Sequence, residues 1–272
     1  MPAIDLARLR KQAARLSDFF YVPDEFARQL HSLLDGYLDY TKRKSQASAP
    51  GVSLPTHHTP LVVLQQIQHE LSPLAASADN TDATLALADR LWDEGWLESR
   101  LMAGFLLGRM APREGRLIAR LSAWTAQTRD VNLRARLIEA SLTRTRREAP
   151  TLFLRLMEEW MQPERLRYWG DAIQAAISAV GDPMFVDLPP LLDILEPLFR
   201  LAPAELQLDL EQLILSLYTS SPAETTYLIQ RVLITSDDPA TATSFRRMLP
   251  AFPPELKASI HELVRRKASP GE

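Results

Sequence analysis

The chain has 272 residues, a formal net charge of −3 and no cysteine, with 46% hydrophobic residues. That much apolar material can build a sizeable core, and the lack of cysteine excludes disulfides, thiolate metal sites and a cysteine nucleophile. No uninterrupted apolar run approaches the roughly 18 residues of a membrane span, and the opening Met1-Pro-Ala-Ile-Asp-Leu-Ala-Arg carries charge in place of a leader's apolar core, so a cytoplasmic protein is expected.

Only nine glycines stand against twenty prolines, and leucine and alanine dominate the apolar content, a composition of short helices with proline at their starts. Alternating runs of Val, Ile and Thr are missing, so no sheet is expected. Residues 5–16 and 24–44 read as amphipathic helices, the second opened by Pro23-Asp24 and ended by Lys42-Arg43-Lys44. Residues 45–60 hold Ser, Pro, Gly and the pair His57-His58, and read as a connector. A helix follows from Pro60 to Leu71. Asn80, Thr81 or Asp82 caps the next, which runs to Trp92 and ends at Gly95. Helices 96–110, 112–127 and 131–147 come next, the last capped by Asp130. Beyond them the pattern predicts 150–161, 164–180, 188–200, 203–219, 222–235, 239–249 and 254–267, several with proline in the first turn (Pro203, Pro222, Pro239, Pro254) and a frayed tail from Lys267.

The run Leu97-Glu-Ser-Arg100-Leu-Met-Ala103 has a partner in Leu133-Arg134-Ala-Arg-Leu137-Ile138, with Arg134 lying 34 residues beyond Arg100. Helix–turn–helix units at that period are the signature of a helical solenoid. The expected fold is all-α, a right-handed α-α superhelix of HEAT- or ARM-like type. It is read as one domain of about six helical pairs, divided into N-terminal helices 1–48, a connector 49–60, repeats 61–180 and C-terminal repeats 181–267. Arg134 falls inside the apolar arc of helix 131–147, a charge where a core residue belongs. HEAT repeats commonly pair a turn acid with a helix arginine, and Asp130 with Arg134 and Glu98 with Arg100 fit such a ladder. The functional alternative aims Arg134 into a groove at phosphate.

Between Pro112 and Arg147 stand Arg113, Arg116, Arg120, Arg129, Arg134, Arg136, Arg144, Arg146 and Arg147 against Glu114, Asp130 and Glu139. Between Asp182 and Gln230 eight acids face Arg200 alone. A basic middle and an acidic distal stretch carry opposite potentials. Trp92 and Trp160 sit at core spacing. Trp124 and Trp169 lie close to arginines, where they either pack in the core or line a groove and stack on a base. No metal motif, phosphate loop or nucleophile elbow is present. His31, His69 and His261 are dispersed, and Glu158-Glu159 are helix neighbours that do not face one another. Neither metal nor cofactor is expected.

Two stretches carry a resemblance. Gly51-Val52-Ser53-Leu54-Pro55 precedes the helix Pro60-Leu-Val-Val-Leu-Gln-Gln-Ile, and Leu87-Ala88-Asp89-Arg90-Leu91-Trp92-Asp93-Glu94-Gly95 continues into Glu98-Ser99-Arg100-Leu101-Met102-Ala103. Over about residues 25–180 they resemble the HEAT-like DNA alkylation repair family of alkylpurine DNA glycosylases. In that family a tryptophan precedes a Trp-Asp-x-x-Asp element whose last aspartate supports glycosidic cleavage, and a later Trp-x-Arg-Arg follows. Here Trp124 matches the leading tryptophan, but the element aligns with Arg129-Asp130-Val131-Asn132-Leu133, and no arginine pair stands near Arg167-Tyr168-Trp169-Gly170. A developing sugar cation needs a carboxylate at that point. The resemblance therefore implies a divergent, non-catalytic or weakly catalytic DNA-binding member. Its nucleic-acid-binding candidates are Arg113, Arg116, Arg120, Trp124, Arg129, Arg134, Arg136, Arg167 and Trp169. The second reading is a protein-interaction scaffold that uses residues 182–230 or a concave face. The third is an active N-glycosylase in which Asp130 or another acid replaces the missing one.

Overall fold

Proline and short polar caps set where the helices begin. The computed structural model describes residues 4–38, 54–201 and 203–268. The triplet Lys42-Arg43-Lys44, most of the expected connector, Gly51, Val52 and Ser53 of the family-like entry, and the end of the tail expected to fray lie outside the described residues. Every regular element among the described residues is helical.

The chain divides into two compact units, 1–148 and 149–272. In the first, α1 (Leu6–Ser17), α2 (Pro23–Gly36), α3 (Leu61–Ala76), α4 (Thr81–Asp93), α5 (Leu97–Arg109), α6 (Gly115–Gln127) and α7 (Val131–Ser141) are followed by the short α8 (Thr143–Glu148). Helices α1, α3, α5 and α7 pack in succession as one layer, and α2 and α4 pack in a second, which side-chain bonds extend to α6. Helices α4 and α6 begin 34 residues apart, at 81 and 115, and so do α5 and α7, at 97 and 131. The period read from the arginines is thus a structural repeat, and the pairing is that of an α-α solenoid.

In the second unit, α9 (Pro150–Trp160), α10 (Trp169–Val180), α11 (Leu188–Leu201), α12 (Gln207–Ser220), α13 (Pro222–Thr235), α14 (Pro239–Met248) and α15 (Pro254–Ala268) repeat the scheme. Helices α9, α11, α13 and α15 form one succession, and α10, α12 and α14 the other. Each layer exists because its helices bury leucine, isoleucine and phenylalanine on one side. Leu210, Leu213, Ile214 and Leu217 of α12 are all fully buried, and each such side chain contributes about 1.5–3 kcal/mol.

Local chemistry explains the helix ends. Gly95 takes a φ of +73°, the left-handed backbone that stops α4. Asp130 Oδ1 accepts from the amides of Asn132 and Leu133 at 2.9 and 3.2 Å, capping α7. Pro112 does not open α6; Glu114 does, as a cap accepting from the Arg116 amide at 3.1 Å. The single helix expected over 131–147 is broken at Leu142. There the Thr143 hydroxyl and the Arg146 guanidinium both donate to the Glu139 carbonyl, and Ser141 Oγ donates to the Gly104 carbonyl on α5. Side-chain donors thus compete for the carbonyls that would continue the helix. The segment expected to open helix 164–180 is 3-10, residues Pro163–Tyr168, with non-helical backbone at Arg165.

Candidate nucleic-acid interface

The arginine-rich stretch is organised around α6, and its charges are mostly spoken for. Arg120 forms a two-pronged bond to Asp89 on α4, with Nε to Oδ1 at 2.7 Å and Nη2 to Oδ2 at 2.8 Å, the fork geometry that makes such pairs strong and directional. Arg116 Nη1 reaches Asp82 at 2.8 Å, while its Nε bonds Glu114 at 2.8 Å. The Arg116 guanidinium is raised above its ordinary value first by its bond to Glu114 and then by Asp82. Glu114 is correspondingly lowered, first by the Arg116 side chain. The α6 arginines therefore lace α6 to α4. Asp82 precedes Arg116 by one repeat, 34 residues, and Asp89 precedes Arg120 by 31.

The remaining candidates differ in accessibility. Arg113 and Arg129, just before and just after α6, are exposed and carry no ion pair among the described residues. Arg136 is exposed and pairs with Glu139 at 3.2 Å. Arg134 is half-buried and has a bonding partner. Arg144 bonds the Arg109 carbonyl at 2.6 Å, closing the C-terminal end of α5, and pairs with Glu148 at 2.7 Å.

The aromatic candidates lie inside. Trp124 is 5% exposed and stacked face to face on Trp92 of α4, with centroids 4.6 Å apart. Arg100 covers the Trp92 ring at 4.3 Å, giving a cation–π contact beside the pair. Burial lowers the Arg100 guanidinium below its ordinary value. The Glu98–Arg100 ladder expected from the sequence does not form. Glu98 is buried and accepts from the Thr56 hydroxyl at 2.7 Å, because α5 begins at Leu97 and turns the two side chains to different neighbours. In the second unit Trp169 is 1% exposed, its Nε1 donating to the Gln162 carbonyl. Arg167 is exposed and lies 4.5 Å over the Tyr168 ring.

The acid position carries the chemistry of the family comparison. Leu133, which the resemblance is expected to place where that family's aspartate stands, is buried at 2% exposure. Asp130 already spends one carboxylate oxygen on two backbone amides. No group of three or more metal-binding side chains is present among the described residues, and no helix among them is long and apolar enough to cross a membrane.

Neither the curated proteins nor the solved structures give a match to this chain. The family model described as "DNA alkylation repair enzyme" matches residues 62–199, from the first turn of α3 into the last turn of α11 and just over half of the chain. With the helical repeat and the Leu-Trp helix pair already in place, that match makes the chain a member of the DNA alkylation repair enzyme family, with a function related to DNA repair.

Proposed function

We propose that the chain binds DNA through phosphate contacts on and around α6, with little or no base-excision chemistry of its own. The observation that carries the reading is the pair Arg113 and Arg129, two exposed, unpaired cations at either end of a helix about 20 Å long. Arg136 joins them at small cost, because its partner Glu139 is itself exposed, and Arg116 can turn from the 87% exposed Asp82 while keeping its bond to Glu114. Arg120, forked to Asp89, is held more firmly, and half-buried Arg134 adds long-range potential. Trp124 and Trp169 act by fixing the helices that carry these charges. Arg167 offers a further cation on the second unit. Buried Leu133 and the capping duty of Asp130 both support the loss of cleavage chemistry, since Leu133 has no carboxylate and Asp130 has one oxygen committed to backbone amides.

Fluorescence anisotropy with a short duplex, plain and abasic, at about 50 and about 200 mM salt tests the reading. Two phosphate contacts predict about a tenfold loss of affinity over that range, and four predict about a hundredfold. Absence of binding at the lower salt would overturn it. A parallel assay for release of methylated purine base tests the catalytic half; base release abolished by Asp130→Asn would establish the glycosylase alternative.

A second reading has its own observation. A groove of about 350 Å³ between α11 and α13 is lined by Leu192, Asp193, Glu224, Tyr227 and Arg231, and Tyr227 is 63% exposed. With Asp193 bonded to Arg231, the groove is mainly apolar (Pro189, Leu192, Tyr227, Leu228), and its accessible aromatic suits an apolar protein segment, as a scaffold would require. Salt-insensitive capture of a protein partner with no DNA affinity would favour it.

A further inference from the structure

Residues 54–60 enter α3 without regular structure, yet their middle is firmly fastened. The Leu97 amide at the head of α5 donates to the Pro55 carbonyl at 3.0 Å, and the Thr56 hydroxyl donates to Glu98 at 2.7 Å. His58 adopts a φ of 52°, left-handed backbone that is unfavourable for a side-chain-bearing residue. That turn delivers His57 into the fold, where it is 4% exposed and stacked on Trp96 with centroids 4.3 Å apart.

His57 heads a chain of bonds. Its Nδ1 lies 2.9 Å from Asp35 Oδ1, and its Nε2 lies 2.8 Å from His31 Nδ1. His31 Nε2 in turn lies 2.6 Å from Glu94 Oε2. The other Glu94 oxygen accepts from Arg90, which also bonds Asp24 at 2.6 Å. Burial pushes the Glu94 carboxyl up, but the bonds from His31 and Arg90 and the charge of Arg90 outweigh it and leave Glu94 lowered, hence ionised at neutral pH. Among the described residues, the charged and titratable groups around the pair are Asp24 and Asp35 on α2, Arg90 on α4 and Glu94 just past its end, His58 beside His57, and Glu98 on α5, reached through Thr56.

The hydrogen count follows from donor and acceptor chemistry. Each carboxylate is acceptor-only, so His57 Nδ1 and His31 Nε2 both need a proton. The nitrogen–nitrogen contact needs one proton and only one. Three protons on two imidazoles make one positive charge, lying between two carboxylates.

We propose that His31 and His57 form a one-charge latch that fastens residues 55–58 to α2 and α4 only while the two rings together hold three protons. Removing the third proton leaves one of the three contacts without hydrogen. Adding a fourth sets two N–H groups and two charges against each other at 2.8 Å. The sign follows from linkage, since stability rises with pH wherever the unfolded chain holds more protons. At acid pH the unfolded rings hold four protons against the latch's three, so the latch weakens as pH falls. At alkaline pH they hold two against three, so it weakens as pH rises. Strap docking under this latch is therefore bell-shaped in pH.

The Leu97 amide reads the latch locally, because its partner is a carbonyl of the strap. In the full chain, its hydrogen-exchange protection, corrected for intrinsic rate, is expected to peak at one intermediate pH and to fall about tenfold or more on both sides, the worth of a hydrogen bond to a charged group. Nitrogen NMR of the two rings at the peak is expected to show three protons. Asp35 is 62% exposed, so Asp35→Asn leaves the fold intact; with one carboxylate gone, its alkaline fall moves to lower pH. His69→Gln, outside the chain of bonds, leaves the profile unchanged. A flat protection profile, two neutral rings at the peak, or an Asp35→Asn profile identical to the parent would each overturn the latch.

Discussion

Gly108 on α5 lies so close to α7 that a Cβ built on it would sit 1.8 Å from the Ala140 carbonyl oxygen. The obstacle is backbone, so it cannot rotate away, and the two helices would have to part. Gly104, one turn earlier, meets the Leu137 side chain at 3.0 Å, a flexible group that can give, while Leu137 Cα and Ser141 Oγ lie at ordinary contact distance. Gly108→Ala is therefore expected to cost about 3 kcal/mol or more, at the upper end of overpacking effects, and Gly104→Ala about 1 kcal/mol. Gly115, with nothing within 4 Å, serves as the contrast: Gly115→Ala should be neutral or gain about 0.5 kcal/mol through the unfolded chain. Urea unfolding of the three variants checks the order.

The lacing of α6 to α4 makes an inverted prediction about affinity. Asp82 and Asp89 compete with phosphate for Arg116 and Arg120. Under the proposed function, Asp82→Asn and Asp89→Asn should tighten duplex binding severalfold and steepen its salt slope by up to about 0.9 for each arginine released to a phosphate. Asp89→Asn should also lower stability by about 1–3 kcal/mol, because the forked pair with Arg120 is partly buried; Asp82→Asn, at an exposed pair, should leave stability nearly unchanged. Weaker binding by both variants would argue that the arginines are structural only.

Much of this architecture was readable from the residues, and the failures share a cause. Helix existence followed from apolar periodicity, and Gly95 and Asp130 mark their helix ends through chemistry local to a few residues. The break at Leu142 did not show, because it depends on where the Glu139 carbonyl finds its donors and on Ser141 reaching a carbonyl 37 residues back. The Asp82–Arg116 pair was within reach, since its spacing equals the repeat period. The His31–His57–Glu94 chain was not: its members are 26 and 63 residues apart, at no common period. Likewise the burial of Trp124 against Trp92 depends on how α4 and α6 face each other, which arginine neighbours in sequence do not reveal.

Glu94 links the latch to acid stability. Its lowered carboxyl stabilises the fold above the unfolded value of about 4.3, and that contribution is lost as pH falls through the lower folded value. Glu94→Gln should therefore destabilise the protein by about 1–3 kcal/mol at neutral pH, since it weakens bonds to two charged donors. The deficit should shrink as pH falls below about 4, where the parent carboxyl protonates as well. Thermal unfolding from acid to neutral pH checks this, and a deficit constant across that range would remove Glu94 from the linkage.

Trp124 and Arg129 separate a structural from a contacting role in the same stretch. Trp124 is buried against Trp92, so Trp124→Ala should cost about 3–5 kcal/mol through the cavity it leaves, and any loss of DNA affinity should recover under conditions that restore folding. Arg113 and Arg129 are exposed and unpaired among the described residues. Reversing both charges, Arg113→Glu with Arg129→Glu, should move the unfolding temperature little, yet abolish measurable duplex binding at moderate salt and flatten the salt dependence of what remains. Melting curves and anisotropy on the same samples make the comparison. If the doubly reversed variant bound as tightly as the parent, the ends of α6 would not be where the phosphates lie, and the Tyr227 groove of the second unit would become the surface to probe.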